Sequence, residues 1–409
     1  MNSINFKKIG LIIGILAVAA IIGYFIFTFF FKSTPSTTPV DTNSTNGGTG
    51  SLPLSGSGSQ TPTDETGGQL PGAGGQGTEA PEASLTNPVT DSNGVADLGI
   101  SASNLATGNA GAMQFLNQND GKFYRISADG TATALSDQQF LGAQNVTWSP
   151  TNDKAIIEFP DGSKVRYDFS SKEQVTLPKH WQSFDFSPAG DKIVAKSMGL
   201  DPNNRWLVTS NDDGSKAKTI EPLGDNGADV ISSWSPNNQS IAMFVQGSDF
   251  DRKEIFFIGQ NGENFKSITT EGRGFEPKWS PKGDELLYSV YSAQNDYKPT
   301  LWITNAQGDD IGANRRPIGL NTWANKCTYS SGSIFCAVPQ TLERGAGLYP
   351  ELSDSTPDRL YKVNPNTGAI EPISVGSGSY TMKNLTVSPD GKFLYFTDAL
   401  TQRLRRITL

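Results

Sequence analysis

Histidine is almost missing from this 409-residue chain, which carries only His180, in "LPKHWQSF". Hydrolytic triads and most metal centres draw on that side chain, so both chemistries start at a disadvantage. No G-x-S-x-G nucleophile elbow occurs in the sequence. A lone histidine between two strands reads as a surface or interface residue, and no catalytic residue, cofactor site or metal site is assigned. Positive charge is thin as well, with 33 Lys and Arg against 41 Asp and Glu. No basic stripe is present, which argues against nucleic acid as a partner. Hydrophobic residues make up 36%, alongside 43 Gly and 24 Pro, a turn-rich balance that speaks against a helical protein.

One long apolar run is present, Ile9 to Phe31, 23 residues without a charge. At about 1.5 Å per helical residue it would span roughly 35 Å, enough for a bilayer core with some tilt. A cleaved signal peptide is the competing reading, but its apolar region is usually shorter and ends in small residues, whereas this run ends "FIFTFFFK". The expectation is a transmembrane signal anchor over 9–31, after a cytoplasmic N-terminus at 1–8. Lys7 and Lys8 precede the span and Lys32 follows it. The positive-inside bias then leaves the rest of the chain extracytoplasmic. Residues 32–111 are rich in Ser, Thr, Pro and Gly, and 33–110 hold seven acidic residues and no Lys or Arg. Such a segment cannot repay its ordering entropy and reads as a disordered linker.

From 112 to 409 the pattern changes to short strand-like runs separated by turns. "NVTWSPTNDKAIIEF" returns as "SFDFSPAGDKIVAKS", "ISSWSPNNQSIAMFV", "EPKWSPKGDELLYSV" and "NLTVSPDGKFLYFTD". The signature residues are Trp148-Ser149-Pro150, Phe186-Ser187-Pro188, Trp234-Ser235-Pro236, Trp279-Ser280-Pro281 and Ser388-Pro389. A degenerate copy, "CTYSSGSIFCAV", puts Thr328 at the serine position, so the intervals run from 38 to 60 residues. That period matches one propeller blade of four strands. The aromatic ring suits the space between blades, Pro fixes φ for the turn, and the hydroxyl can hold the turn through backbone hydrogen bonds. Six first hairpins and seven second hairpins, such as "NRWLVTSNDDGSKAKTI", are visible. The fold class expected is therefore an all-β propeller of six or seven four-stranded blades, seven by the second-hairpin count.

These residues resemble the WD-repeat-like propellers typified by the bacterial TolB protein. The resemblance covers residues 112–409 and implies fold rather than activity. The fifth copy departs from it by losing the proline and the aromatic, and its blade carries a long insertion, "QTLERGAGLYPELSDSTPD".

In a gapless superposition Cys327 takes the aromatic position and Cys336 a position nine residues later. The two strands are antiparallel around a turn midway between. Opposed residues without mutual hydrogen bonds have Cα atoms about 4.5 Å apart, near the short limit for a disulfide. A Cys327–Cys336 bridge is expected, with a pair of buried thiols as the other reading. "SNDDGS" at Ser210–Ser215 and "GSDFDRKE" at Gly247–Glu254 offer oxygen ligands but lack the full calcium-loop pattern, and read as turn chemistry.

Two functions follow. The first is a membrane-tethered scaffold in the cell envelope that binds an envelope protein or surface polymer, with Leu348, Tyr349 and Leu352 as the contact element. The alternative is a small-ligand sensor or enzyme that uses the central channel.

Overall fold

The computed structural model describes residues 89–90, 94–107, 113–127, 131–263, 265–375 and 378–409, all within the second of two compact units, Gly77–Leu409. Strands β1 (Val89–Thr90), β2 (Val95–Thr107), β3 (Met113–Asn117), β4 (Phe123–Ile126) and β5 (Ala132–Ala134) come first. Five four-stranded antiparallel sheets follow in chain order. Blade 1 is β6 (Asn145–Trp148), β7 (Lys154–Glu158), β8 (Lys164–Asp168) and β9 (Gln174–Leu177). Blade 2 is β10 (Trp181–Phe186), β11 (Lys192–Met198), β12 (Arg205–Asn211) and β13 (Lys218–Pro222). Blade 3 is β14 (Val230–Ser232), β15 (Ala242–Gly247), β16 (Arg252–Ile258) and β17 (Ile268–Glu271). Blade 4 is β18 (Arg273–Trp279), β19 (Glu285–Tyr291), β20 (Pro299–Asn305) and β21 (Arg316–Pro317). Blade 5 is β22 (Cys327–Ser330), β23 (Ser333–Pro339), β24 (Asp358–Val363) and β25 (Ile370–Ile373). Strands β26 (Met382–Val387), β27 (Phe393–Asp398) and β28 (Arg403–Thr408) end the chain.

The remaining strands form a single closing sheet of eight, in the order β26-β27-β28-β2-β3-β4-β5 with β1 on β2. Strand β2 pairs with β28 through its first half (Val95↔Ile407, Ser101↔Arg403) and with β3 through its second (Ala102↔Asn117, Thr107↔Met113). This corrects the expected six or seven separate four-stranded blades. Five sheets are four-stranded, and β2 fuses β3–β5 with β26–β28 into one eight-stranded sheet. The expected linker boundary shifts too, because β1 and β2 lie inside 32–111 and the propeller begins before residue 112. A preceding transmembrane helix is likewise not carried forward. Among the described residues no helix is long and apolar enough to cross a membrane, and the run 9–31 lies outside them. The single-pass localisation built on that helix falls with it.

Alternation along the second strand of each sheet makes the core. Ile193 and Ala195 face the Trp181–Phe186 cluster shared with blade 1, while Val194 between them packs against Val230, Trp234 and Ile241 of blade 3. Leu286 and Tyr288 face blade 3, whereas Leu287 faces Cys327, Ile334 and Cys336 of blade 5. Each such strand is thus buried on both sides, and these clusters lie between sheets; one further cluster, with Leu98, Phe115, Tyr395 and Leu404, joins strands of the closing sheet to one another.

The repeated Ser-Pro signature has a common geometry. The N–H of the residue three after the serine donates to the serine carbonyl: Asn152 to Ser149, Gly190 to Ser187, Asn238 to Ser235, Gly283 to Ser280 and Gly391 to Ser388, at 2.8 to 2.9 Å. Pro sets φ at the second turn position, and the donor residue has φ between 61° and 72°, the left-handed region that favours Gly and Asn. At Ser187, Ser280 and Ser388 the buried hydroxyl accepts the N–H five residues on, at 3.0 to 3.1 Å. It also donates to Asp191, Asp284 and Asp390 respectively. Ser235 accepts from Ser240 N at 2.9 Å in the same way. One side chain therefore satisfies a turn donor that would otherwise point into the protein.

The degenerate copy replaces this turn with a two-residue hairpin at Ser331 (φ 48°) and Gly332 (φ 75°), flanked by Ser330↔Ser333. In regular copies the aromatic faces a residue seven positions on, as in Trp148↔Ala155 and Trp279↔Leu286. The tighter turn lengthens the ladder by two residues, so Cys327 faces Cys336, and a disulfide joins them with Cα atoms 4.1 Å apart. The nine-residue register is thus particular to this copy and does not carry over to those at Trp148 and Trp279.

Two outcomes check this account by chemical denaturation. Trp234, 4% exposed between blades 2 and 3, should cost about 3–5 kcal/mol on replacement by Ala. Removing the disulfide as Cys327→Ser with Cys336→Ser should cost about 2–3 kcal/mol, because the enclosed loop is short. A loss near zero in either case would contradict the packing described.

Candidate functional site

An antiparallel blade puts its first and third turns on one face of the ring. Its middle loop and the crossing to the next blade lie on the other. The Ser-Pro turns define the first, or turn face. The loop face carries segments 199–204, 248–251, 292–298, 340–357 and 399–402.

The insertion at 340–357 is the largest of these and is built in. Gln340 N donates to Pro357 O at 2.9 Å and closes its base. Gly345 N and Gly347 N donate to Asp296 O and Tyr297 O at 2.8 and 2.7 Å, docking it on the blade 4 loop. A Cβ on Gly347 would stand 2.5 Å from the Tyr291 side chain, so glycine is required for that approach. Asp354 pairs with Lys383 at 2.9 Å. Leu348, Tyr349 and Leu352 remain 38%, 58% and 52% exposed on this anchored segment. Leu200, Phe250 and Leu400 are exposed on other loops of the same face.

Beneath the insertion lies a cavity of about 370 Å³, walled by Glu276, Trp323, Asn325, Lys326, Glu351 and Asp354 among others. Lys326 Nζ reaches both oxygens of buried Asp358 at 2.7 and 2.8 Å, and Met382 N donates to Asp358 Oδ2 at 2.6 Å. Burial pushes the lysine down and the carboxyl up, while each partner's charge pulls the other back.

Other titratable groups near the inner strands are spent in a shared way, each gripping the next blade's backbone. Asp185 accepts from Trp234 N at 2.7 Å, and burial raises its pKa to about 6. Lys196 donates to Val230 O at 3.0 Å, with its pKa lowered by burial. Glu276 accepts from Asn325 N at 2.7 Å, and burial raises its pKa. Lys278 donates to Cys327 O at 2.6 Å, and burial lowers its pKa to about 8. These are staples between sheets.

A further constellation joins blades 3 and 4 on the loop face. The Arg273 guanidinium lies 4.5 Å from the Phe250 ring centre, 5.5 Å from Tyr297 and 5.7 Å from Tyr291, with Asp251 at 3.6 Å. Cation–π contacts of this kind hold loops together. Sequence reasoning missed it because the five residues come from three separate segments.

The signature residues do not converge on a site. Trp234 and Phe186 are buried between blades. Trp148 Nε1 donates to Asn104 O in β2 at 2.7 Å, and Trp279 Nε1 to Ser233 Oγ at 3.0 Å. Ser149, Pro150, Pro188, Pro236, Pro281 and Pro389 stand in the turn-face hairpins. His180 is exposed in the crossing from β9 to β10. Asp213 and Asp249 accept N–H groups of their own turns, from Ser215 and Arg252. No three His, Cys, Asp or Glu residues stand close enough to hold a metal among the described residues.

No protein-family model matches the chain, and no curated protein matches it. Solved structures do. A structure of oligogalacturonate lyase in complex with manganese is 16% identical, over 79% of this chain and 95% of that one, with a TM-score of 0.53. The tricorn protease is 13% identical over 76% of this chain, with a TM-score of 0.50. This chain spans only about a third of its length, 33%. A chain of the mitotic checkpoint complex is 13% identical, over 83% and 98%, with a TM-score of 0.50. At these identities the likeness shows the fold alone, a β-propeller.

The lysine staple predicts a pH dependence. Lys278 has its folded pKa, about 8, below the usual lysine value of about 10.4. Its stabilisation is present above the unfolded value and is lost as pH falls through about 8. Wild-type stability measured against Lys278→Met should therefore rise between about pH 8 and pH 10.4. A flat difference would mean that the amine is solvated.

Proposed function

We propose that this propeller is a binding module that engages a protein or polymer partner through its loop face. The observation that carries the reading is the exposed apolar set on that face: Leu348, Tyr349 and Leu352 together on an anchored insertion, with Leu200, Phe250 and Leu400 on other loops of the same face. Exposed apolar side chains gathered on one side of a molecule mark interaction surfaces. Hydrogen bonds to blade 4 and the Asp354–Lys383 pair hold the insertion in place before any partner arrives, which lowers the ordering cost of binding.

Enzymes occur among structures of similar fold, including a lyase and a protease. A propeller hosts either role, and the function lies in the site. Here the half-buried Asp185, Glu276 and Lys278 are each engaged with the backbone of the next blade, which favours binding over chemistry.

Photo-crosslinking tests the reading in the cells that make the protein. A benzoylphenylalanine installed at position 349 should give a discrete adduct, and one at position 261 on the turn face should not. Leu348→Ser with Leu352→Ser should abolish that adduct while shifting the melting temperature by no more than about 2 °C, since both side chains are exposed. Equal labelling from both faces, or an adduct indifferent to the double substitution, would refute it.

A further inference from the structure

The degenerate repeat has a consequence on the turn face. Neighbouring Ser-Pro turns normally meet. Asn237 Nδ2 donates to Gly283 O at 2.8 Å between blades 3 and 4, and a Cβ on Gly190 of blade 2 would lie 2.4 Å from Ser149 Oγ of blade 1. Between blades 4 and 5 the partner turn is the shorter Ser331-Gly332 hairpin. A cavity of about 530 Å³ opens there, walled by the Ser280–Glu285 turn, Tyr329, Ser330 and Asn366. A second cavity of about 520 Å³ shares Glu285, Asn305 and Asn366 with it and extends to Arg315 and Arg316. The two form one cleft, each part within the roughly 300–1,000 Å³ of small-molecule sites.

Tyr329 stands at the position that the motif gives to proline, and its hydroxyl is buried with no hydrogen-bond partner among the described residues. A buried hydroxyl left unpaired is costly, and a ligand in the cleft would relieve it. The other walls pair acceptors with groups that both donate and accept: the carboxylates of Asp284, Glu285 and Asp310, and the amides of Asn305, Gln307 and Asn366. The carboxylates are spread too far to hold a metal, as is true throughout the described residues. They also repel an anion, while Lys282, Arg315 and Arg316 repel a polycation. Pro281 and Pro365 add apolar walls.

We infer that the cleft between blades 4 and 5 is a binding site for a neutral oligosaccharide, whose hydroxyls both donate to the carboxylates and accept from the amides and Tyr329. The site faces away from the insertion and does not depend on the loop-face reading.

Titration calorimetry on the full chain tests it with maltotetraose, chitotetraose, tetragalacturonate and pentalysine as probes. At least one neutral tetrasaccharide should bind with a Kd below about 1 mM. Tyr329→Phe, which keeps the ring, and Asn366→Ala, in an exposed turn, should each weaken that binding about tenfold, the value of one lost hydrogen bond. Leu348→Ser should leave it unchanged. The inference is overturned if neither neutral sugar binds, if tetragalacturonate or pentalysine takes the cleft instead, or if both cleft variants bind as wild type does.

Discussion

Everything in this molecule depends on the second strand of each sheet having two apolar sides. Val194 and its neighbours Ile193 and Ala195 point to opposite blades, and so do Leu287 and its neighbours Leu286 and Tyr288. A sheet buried on both faces cannot stand alone, and a row of them ends with a raw apolar face at each end unless it closes. Closure is therefore a requirement of the side-chain pattern. The eight-stranded sheet meets it by giving β28 and β3 a shared strand.

Local chemistry was the legible part. Ser, Pro and the Gly or Asn three residues after the serine could be read as a turn because each fills its role within six residues of chain. The strand pattern from residue 112 on was readable for the same reason. What lay hidden was set by partners far along the sequence. Strand β2 sits in a stretch without Lys, Arg or aromatic residues, and half of what holds it comes from strands some three hundred positions away: Arg403 and Arg405 of β28 reach Asp97, and Thr397 Oγ1 of β27 reaches Ala102 O. The blade count failed there, because a strand shared between two neighbours belongs to neither hairpin tally. The cysteine register shows a subtler limit. The regular copies pair at a separation of seven, and only the exchange of the Ser-Pro turn for Ser331-Gly332 brings position nine opposite.

The candidate sites divide in the same way. The insertion was visible as an interruption of the repeat, and its exposed Leu348, Tyr349 and Leu352 are where a departure from the pattern would put them. The Arg273 constellation and the blade 4–5 cleft were invisible, since each is assembled from segments that only the ring brings together. One degenerate repeat lies behind both departures: its blade carries the loop-face insertion, and its shortened hairpin opens the turn-face cleft. The regular copies keep the ring closed, and the irregular one makes room for something else.

The pairing of β2 with β28 also bears on how the chain comes into being. Synthesis runs from the N-terminus, so β2 emerges long before its partner β28. Blades 1 to 5 can each complete their hairpins as they appear, because their pairings are local. The closing sheet cannot. Until β28 arrives, β2 remains half-paired and Val95, buried in the finished ring, stays uncovered, along with the blade 5 residues Phe335 and Leu360 that share its cluster. The strand that opens the fold is thus among the last to find its place. The nascent protein carries an open edge until β28 is made, and a chain cut short before Arg403 keeps that edge open for good.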